Sequence, residues 1–107
     1  MRERVMEKGG FFYIMGSVSM TLYCGVTSRL EQRVGQHKTK ALPGFSAKYN
    51  VDRLLYHEQF GDIRDAIARE KEVKKWRREK KLRLIEESNP DYRDFAAGWF
   101  SGIEKLK

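Results

Sequence analysis

Two phenols, a guanidinium, an imidazole and a carboxylate are spaced along this chain so that folding can gather them. Tyr13 and Tyr23 lie in two short runs of aromatic and β-branched residues, Phe11–Ser17 and Thr21–Thr27. With a turn centred on Val18, their rings stand roughly opposite each other on one face of a hairpin. Gly25 allows a close approach at the end of the second strand. Arg33 and His37 are four apart and share one side of the helix that follows. Glu70 falls on the apolar stripe of a later helix, three residues after Ile67 and three before Val73. A carboxylate there is costly unless it is paired or holds a cation. A guanidinium forks onto a phosphate and keeps its charge. One hard cation such as Mg²⁺ favours oxygen ligands and retains several waters, so a single protein carboxylate can suffice to hold it. The chemistry that suits this set is attack of water on a phosphate ester. Taken alone, Glu70 is better explained by a salt bridge to a basic neighbour.

The elements that must position these groups can be read in order. The first run has apolar or aromatic residues on both alternating sets, which predicts a strand covered on both faces. Ser28 and Glu31 have the spacing of a capping box. A helix is expected over Arg29–Lys40, with Leu30 and Val34 inward and Pro43–Gly44 ending it. In the loop Leu42–Asn50, one reading tucks the aromatics Phe45 and Tyr49 back into the core, and the other has Lys48 touch a phosphate; the first is preferred for Tyr49, and Lys48 stays open. Val51–Phe60 is expected to be a third strand, central in the sheet, with a mixed period. A helix over Asp62–Trp76 buries Ile63, Ala66, Ile67 and Val73. A break near Arg77–Glu79 leads to a further helix that Ser88-Asn89-Pro90 stops. Tyr92, Phe95 and Trp99 are expected to pack back on the domain, Trp76 to face inward, and Cys24 to fill the core. His57 is read as structural. The fold class is α/β of the α+β type, a small three-stranded antiparallel sheet flanked by helices. A flexible N-terminal extension (1–10), one domain (11–100) and a C-terminal tail (101–107) complete the expected organisation.

These residues resemble the GIY-YIG nuclease family. The triplets Phe11-Phe12-Tyr13 and Tyr23-Cys24-Gly25 stand for its naming motifs, departing at apolar positions and keeping the tyrosines. Arg33 and His37 match the helix that follows, and Ala66 with Glu70 matches the later helix that carries the family's glutamate. The Lys-Lys-Trp-Arg-Arg and Asn-Pro-Asp-Tyr-Arg-Asp segments are typical of its small stand-alone bacterial members. The likeness implies a metal-dependent endonuclease that hydrolyses phosphodiester bonds, with DNA repair or recombination as a setting. It implies Tyr13, Tyr23, Arg33, His37 and Glu70 as the catalytic set. Tyr13 would accept or relay the proton of the attacking water, Tyr23 would bond the phosphate or a bound water, and Glu70 would hold one divalent cation, Mg²⁺ or Mn²⁺.

Composition agrees with a polyanionic partner. The 107 residues carry a net charge of +7, with 40% hydrophobic and 35% charged residues, enough for one modest core. Between Lys71 and Arg83 there are eight basic residues against two acidic ones. Lys74, Lys75, Arg77 and Arg78, with Lys48 and the backbone at Gly25, are the expected nucleic-acid contacts, DNA ahead of RNA. One cysteine excludes an internal disulfide, and no disulfide-linked partner is expected. No apolar run reaches a membrane span and no signal region opens the chain, so the cytoplasm is expected. Two other readings compete with the enzyme. One is a nucleic-acid-binding module that keeps the fold and cuts little; the other is an interaction domain whose basic helix docks an acidic protein.

Overall fold

The computed structural model describes residues 8–42 and 44–100. The chain runs β1 (Gly10–Gly16), β2 (Leu22–Thr27), α1 (Leu30–Lys38), α2 (Phe45–Lys48), β3 (Arg53–Phe60), α3 (Ile63–Lys74) and α4 (Arg78–Ser88). The three strands form one antiparallel sheet in the order β2-β1-β3. This is the expected α+β architecture. Residues 1–7, Pro43 and 101–107 lie outside the described residues. Lys8 to Gly10, expected in a flexible extension, belong to the domain: the Ile63 N–H donates to the Lys8 carbonyl at 2.8 Å, and Gly10 opens β1.

β1 is buried along its whole length, as its two apolar faces demand. Phe11, Tyr13 and Met15 point to one side and pack with Leu30 and Val34 of α1. Phe12 and Ile14 point to the other and pack with Val73 of α3 and Leu84 and Ile85 of α4. The sheet therefore carries α1 on one face and α3 with α4 on the other. Ala66 and Val73 are the buried residues of α3, as expected, but Ile67 is 39% exposed because it overhangs the β2 edge.

Four local expectations are corrected. The hairpin turns about Ser19, where the Ser17 N–H donates to the Thr21 carbonyl and the Thr21 N–H donates to the Ser17 hydroxyl, so Tyr13 pairs with Gly25 and Tyr23 with Met15. Both tyrosines keep the same face because the slip is two residues. The Ser28–Glu31 box does not form: α1 starts at Leu30, and the Thr27 hydroxyl takes the Arg29 N–H at 3.0 Å. α1 ends at Lys38, ahead of Pro43, since Lys40 turns left-handed (φ 59°) and Ala41 N–H reaches back to the Gln36 carbonyl at 2.9 Å. β3 is an edge strand rather than a central one. Its apolar content reflects cover on both faces, and its mixed period reflects a bulge between its pairings with Ile14 and Met15. The bulge lets Leu55 and Tyr56 pack into the same cluster.

The β3 edge is closed by the segment after α4. Phe95 N–H donates to the Leu54 carbonyl at 2.8 Å, and Leu54 N–H donates to Asp94 Oδ1 at 2.9 Å. Asn89, buried, donates to the Leu55 carbonyl at 3.1 Å. Lys38 Nζ reaches Asp94 Oδ2 at 2.5 Å and ties α1 to the same segment. The expectation that Phe95 and Trp99 pack back is met, and His57 is structural, its ring edge-on to Phe95.

Candidate active site

Tyr13 is fully buried, and its ring lies over Gly25 on the neighbouring strand. A Cβ at Gly25 would stand 2.5 Å from the Tyr13 hydroxyl and 2.6 Å from Cζ. Glycine is therefore required there by the phenol. The close approach expected at Gly25 is made by Tyr13 on that side, although the Gly25 backbone also lines an open cleft. The Tyr13 hydroxyl is 2.9 Å from His37 Nε2. The Tyr23 ring sits edge-on to His37 at 5.1 Å and tilted to Tyr13 at 6.4 Å. Two rings from the hairpin and one from α1 thus form one cluster, because Tyr13 and Tyr23 lie on the sheet face that α1 covers with His37.

Electrostatics in this cluster favour neutral groups. Burial pushes the Tyr13 phenol well above its ordinary value, Tyr23 adds to this, and the Arg33 guanidinium pulls it down. Burial, with Arg33 adding to it, lowers His37 to about 4. At neutral pH the imidazole is uncharged and one ring nitrogen has a free lone pair. With Tyr13 donating to Nε2, the imidazole proton resides on Nδ1, which is buried and has no hydrogen-bond partner among the described residues. The buried phenol is thus a neutral group hydrogen-bonded to a neutral imidazole, not a phenolate held ready.

Glu70 approaches from the opposite face of the sheet. Ile67, Glu70 and Lys74 follow one another at helical spacing along the flank of α3, and with β2 they line a cleft of about 550 Å³. Tyr23, Gly25, Phe45 and Lys81 complete that lining. The Glu70 side chain is 18% exposed, and Lys74 Nζ lies 3.5 Å from it. The structure thus brings Tyr23, Gly25 and Glu70 to one cleft across the β2 edge. Tyr13 and His37 stand behind Tyr23, with Arg33 beside them.

The remaining expected contacts divide. Lys74, expected on nucleic acid, is exposed and makes a loose 3.5 Å pair with Glu70. Lys75, Arg77 and Arg78 are exposed at the junction of α3 and α4. Lys48 lies on the single turn of α2, its ammonium 5.4 Å from the Tyr49 ring centre. Phe45 and Tyr49 do not tuck into the core: they are 47% and 43% exposed, since so short a helix holds them on its outer side. Trp76 is only half-buried, with Lys80 and Arg69 over its ring at 4.2 and 5.3 Å. Cys24 lines the cleft beside Glu70 and Lys81, and burial raises its thiol, so it is a neutral wall rather than pure core.

Sequence reasoning missed Lys81 and Phe45 as cleft residues. Lys81 was visible only as one charge among many, and Phe45 only as an apolar residue in a loop. It also missed Arg69, which reaches both oxygens of Glu58 at 3.1 Å and Glu72 at 2.9 Å. Tyr56 also donates to Glu58. This network fastens α3 to β3.

Among the described residues no three His, Cys, Asp or Glu side chains converge on a metal position. The donor set at the cleft, one carboxylate with phenols nearby, fits a hard cation that keeps its own waters. No helix of the described residues is long and apolar enough to cross a membrane.

Comparison with known proteins agrees with this geometry. The family model described as the GIY-YIG catalytic domain matches residues 8–83. A UPF0213 protein of Pediococcus acidilactici is 36% identical over 89 residues, 78% of this chain and 87% of the relative. UPF0213 proteins of Staphylococcus haemolyticus (36% over 81 residues, 72% of this chain, 94% of the relative) and Bacillus pumilus (38% over 87 residues, 77% and 85%) are similar to it. No solved structure matches the chain. The family match spans both tyrosine strands, the Arg33–His37 helix and the Glu70 helix, and on that ground the chain belongs to the GIY-YIG nuclease superfamily.

Proposed function

We propose that this protein is a metal-dependent endonuclease that hydrolyses phosphodiester bonds in nucleic acid, with DNA ahead of RNA as substrate. The observation that carries the reading is the cleft at the β2 edge. The edge strand β2 and the helix α3 on the opposite face from α1 deliver Tyr23 and Glu70 to the same opening, with the Tyr13–His37 pair and Arg33 directly behind it. Nothing in core packing asks a carboxylate and a phenol to share that opening.

In this reading Arg33 clamps a phosphate oxygen with a charge that stays on at all working pH. Tyr23 orients the phosphate or its water through the hydroxyl. Tyr13 accepts or relays the proton of the attacking water, and the neutral His37 ring orients its hydroxyl through Nε2. A divalent cation, Mg²⁺ or Mn²⁺, held by Glu70 would neutralise developing charge on the phosphate. Lys75, Arg77 and Arg78 supply phosphate contacts beyond the cleft.

The Lys74–Glu70 ion pair favours a second reading, a binding module in which a lysine occupies the carboxylate. The two separate on a cleavage screen over branched, damaged and single-stranded substrates with Mg²⁺ and Mn²⁺. The nuclease reading expects metal-dependent products from at least one substrate. Binding without cleavage on every substrate replaces it with the binding module. A setting in repair or recombination follows only if branched or damaged substrates are preferred.

A further inference from the structure

Phe45 and Tyr49 are large rings left in solvent next to the cleft, at 47% and 43% exposure. They continue a series of ring contacts that begins in the core. His37 meets Tyr23 at 5.1 Å, Tyr23 stacks on Phe45 at 6.3 Å with 29° between planes, and Phe45 meets Tyr49 at 4.8 Å. The series leads from the buried imidazole, past the cleft that Glu70 lines, to the surface of α2. Lys48 stands over the outermost ring at 5.4 Å.

Exposed aromatic rings cost hydration unless something covers them. The surroundings say what that is. Lys48 flanks the rings, Lys74 and Lys81 line the adjoining cleft, and the whole chain carries +7. An apolar peptide would gain nothing from those cations. A nucleotide satisfies both halves of the surface, since its base has a flat π-face and its phosphate a negative charge. In a duplex the π-faces are covered by neighbouring base pairs, so only a base that is unpaired or splayed out can lie on a ring.

We propose that Phe45 and Tyr49 form a stacking platform for an unpaired base next to the phosphate held in the cleft. The platform rests on the nuclease reading of that cleft and deepens it by naming the substrate class: a strand with unpaired nucleotides, not continuous duplex. Lys48 contacts the phosphate of the stacked nucleotide. Ring contact through Phe45 and Tyr23 sets the distance between the stacked base and the Tyr13–His37 pair.

The test is binding in EDTA, where no turnover occurs. One probe is a single-stranded oligonucleotide containing 2-aminopurine, whose fluorescence falls on stacking; the other is the same sequence as a blunt duplex. The wild type should quench the single-stranded probe. The double variant Phe45→Ala with Tyr49→Ala should lose the quench and bind the single strand tenfold or more weakly, with duplex affinity changed less than twofold. Both rings are exposed, so the fold should survive, and Phe45→Leu with Tyr49→Leu, which keeps apolar bulk without a π-face, should behave as the alanine pair does. Equal losses on both probes, unchanged affinity, or wild-type binding by the leucine pair would each overturn the platform. If a cleavage screen finds no metal-dependent products while the single-strand-selective loss persists, the nuclease reading fails and the platform stands. If cleavage is found and the ring variants are indifferent, the platform alone fails.

Discussion

Along β3 the sheet edge is closed, and along β2 it is open. At β3, Asp94, Phe95 and Asn89 take up backbone groups of Leu54 and Leu55, and Arg69 is held by Glu58 and Glu72. At β2, the helix flank carries Ile67, Glu70 and Lys74 past the strand and leaves a cleft. The two edges use the same residue types, carboxylates facing cations. They differ in satisfaction: Glu58 accepts from both Arg69 and Tyr56, whereas the Glu70–Lys74 contact is a single 3.5 Å pair on an exposed lysine. A pair of that kind is worth little, so Lys74 can leave Glu70 at small cost. The charges that fasten the fold at β3 are multiply bonded and shielded, while the pair at the β2 cleft is held loosely at an opening.

The largest expected effect lies at the open edge. Arg33→Ala and Tyr13→Phe should each lower the cleavage rate by ~10²–10³, the typical cost of losing one preorganised group. Single-turnover kinetics on the preferred substrate checks this, with a thermal melt to confirm the fold. A rate within a few-fold of wild type would remove the residue from the proposed chemistry.

Acid stability comes next. His37 is depressed from 6.5 to about 4 in the folded state. Above pH 6.5 both folded and unfolded states hold it neutral and it adds no pH dependence. As pH falls from 6.5 towards 4 the unfolded state takes the proton first, so stability should drop by about 3 kcal/mol. Urea titrations of wild type and His37→Gln across that window should show the slope only in the wild type.

At the closed edge, Asp94→Ala should cost about 2–3 kcal/mol, because two backbone N–H groups and Lys38 lose their acceptor. Cleavage per folded molecule should be unchanged, and a rate loss without a stability loss would blur the contrast between the edges. The smallest of these effects is Gly25→Ala. The new Cβ must push the Tyr13 ring, for about 1–2 kcal/mol of overpacking, and the Tyr13–His37 bond should be disturbed with it. A melt at full stability would mean that the ring shifts freely.

The sequence carried the elements where local pattern suffices. The two-sided apolar run of β1, the break before α4 and the inward face of α1 all follow from period and composition. Tyr13, Tyr23, Arg33, His37 and Glu70 were legible because a family pattern orders them. What was not legible depends on partners far apart in sequence. Nothing in spacing pairs Lys38 with Asp94 or Arg69 with Glu58. The capping box failed because the helix starts one residue late, at Leu30, so that Arg29 and not Ser28 holds the cap position. Ile67 has the spacing of a buried residue, and only the position of α3 over an edge strand leaves it exposed. Tyr49 was misplaced, and Phe45 left open, because apolar character alone does not separate a core ring from one that a short surface helix holds in solvent.

The most direct test sets one carboxylate from each edge against the other. Glu70→Gln and Glu58→Gln remove the same charge from the same side of the sheet, and each is measured by Mg²⁺-dependent cleavage per folded molecule at saturating substrate. Glu70→Gln should lose ~10²–10³ in rate with equal or slightly tighter binding, while Glu58→Gln should melt earlier and cleave at the wild-type rate. Cleavage by Glu70→Gln at full rate would contradict the assignment of the open β2 edge as the reaction site.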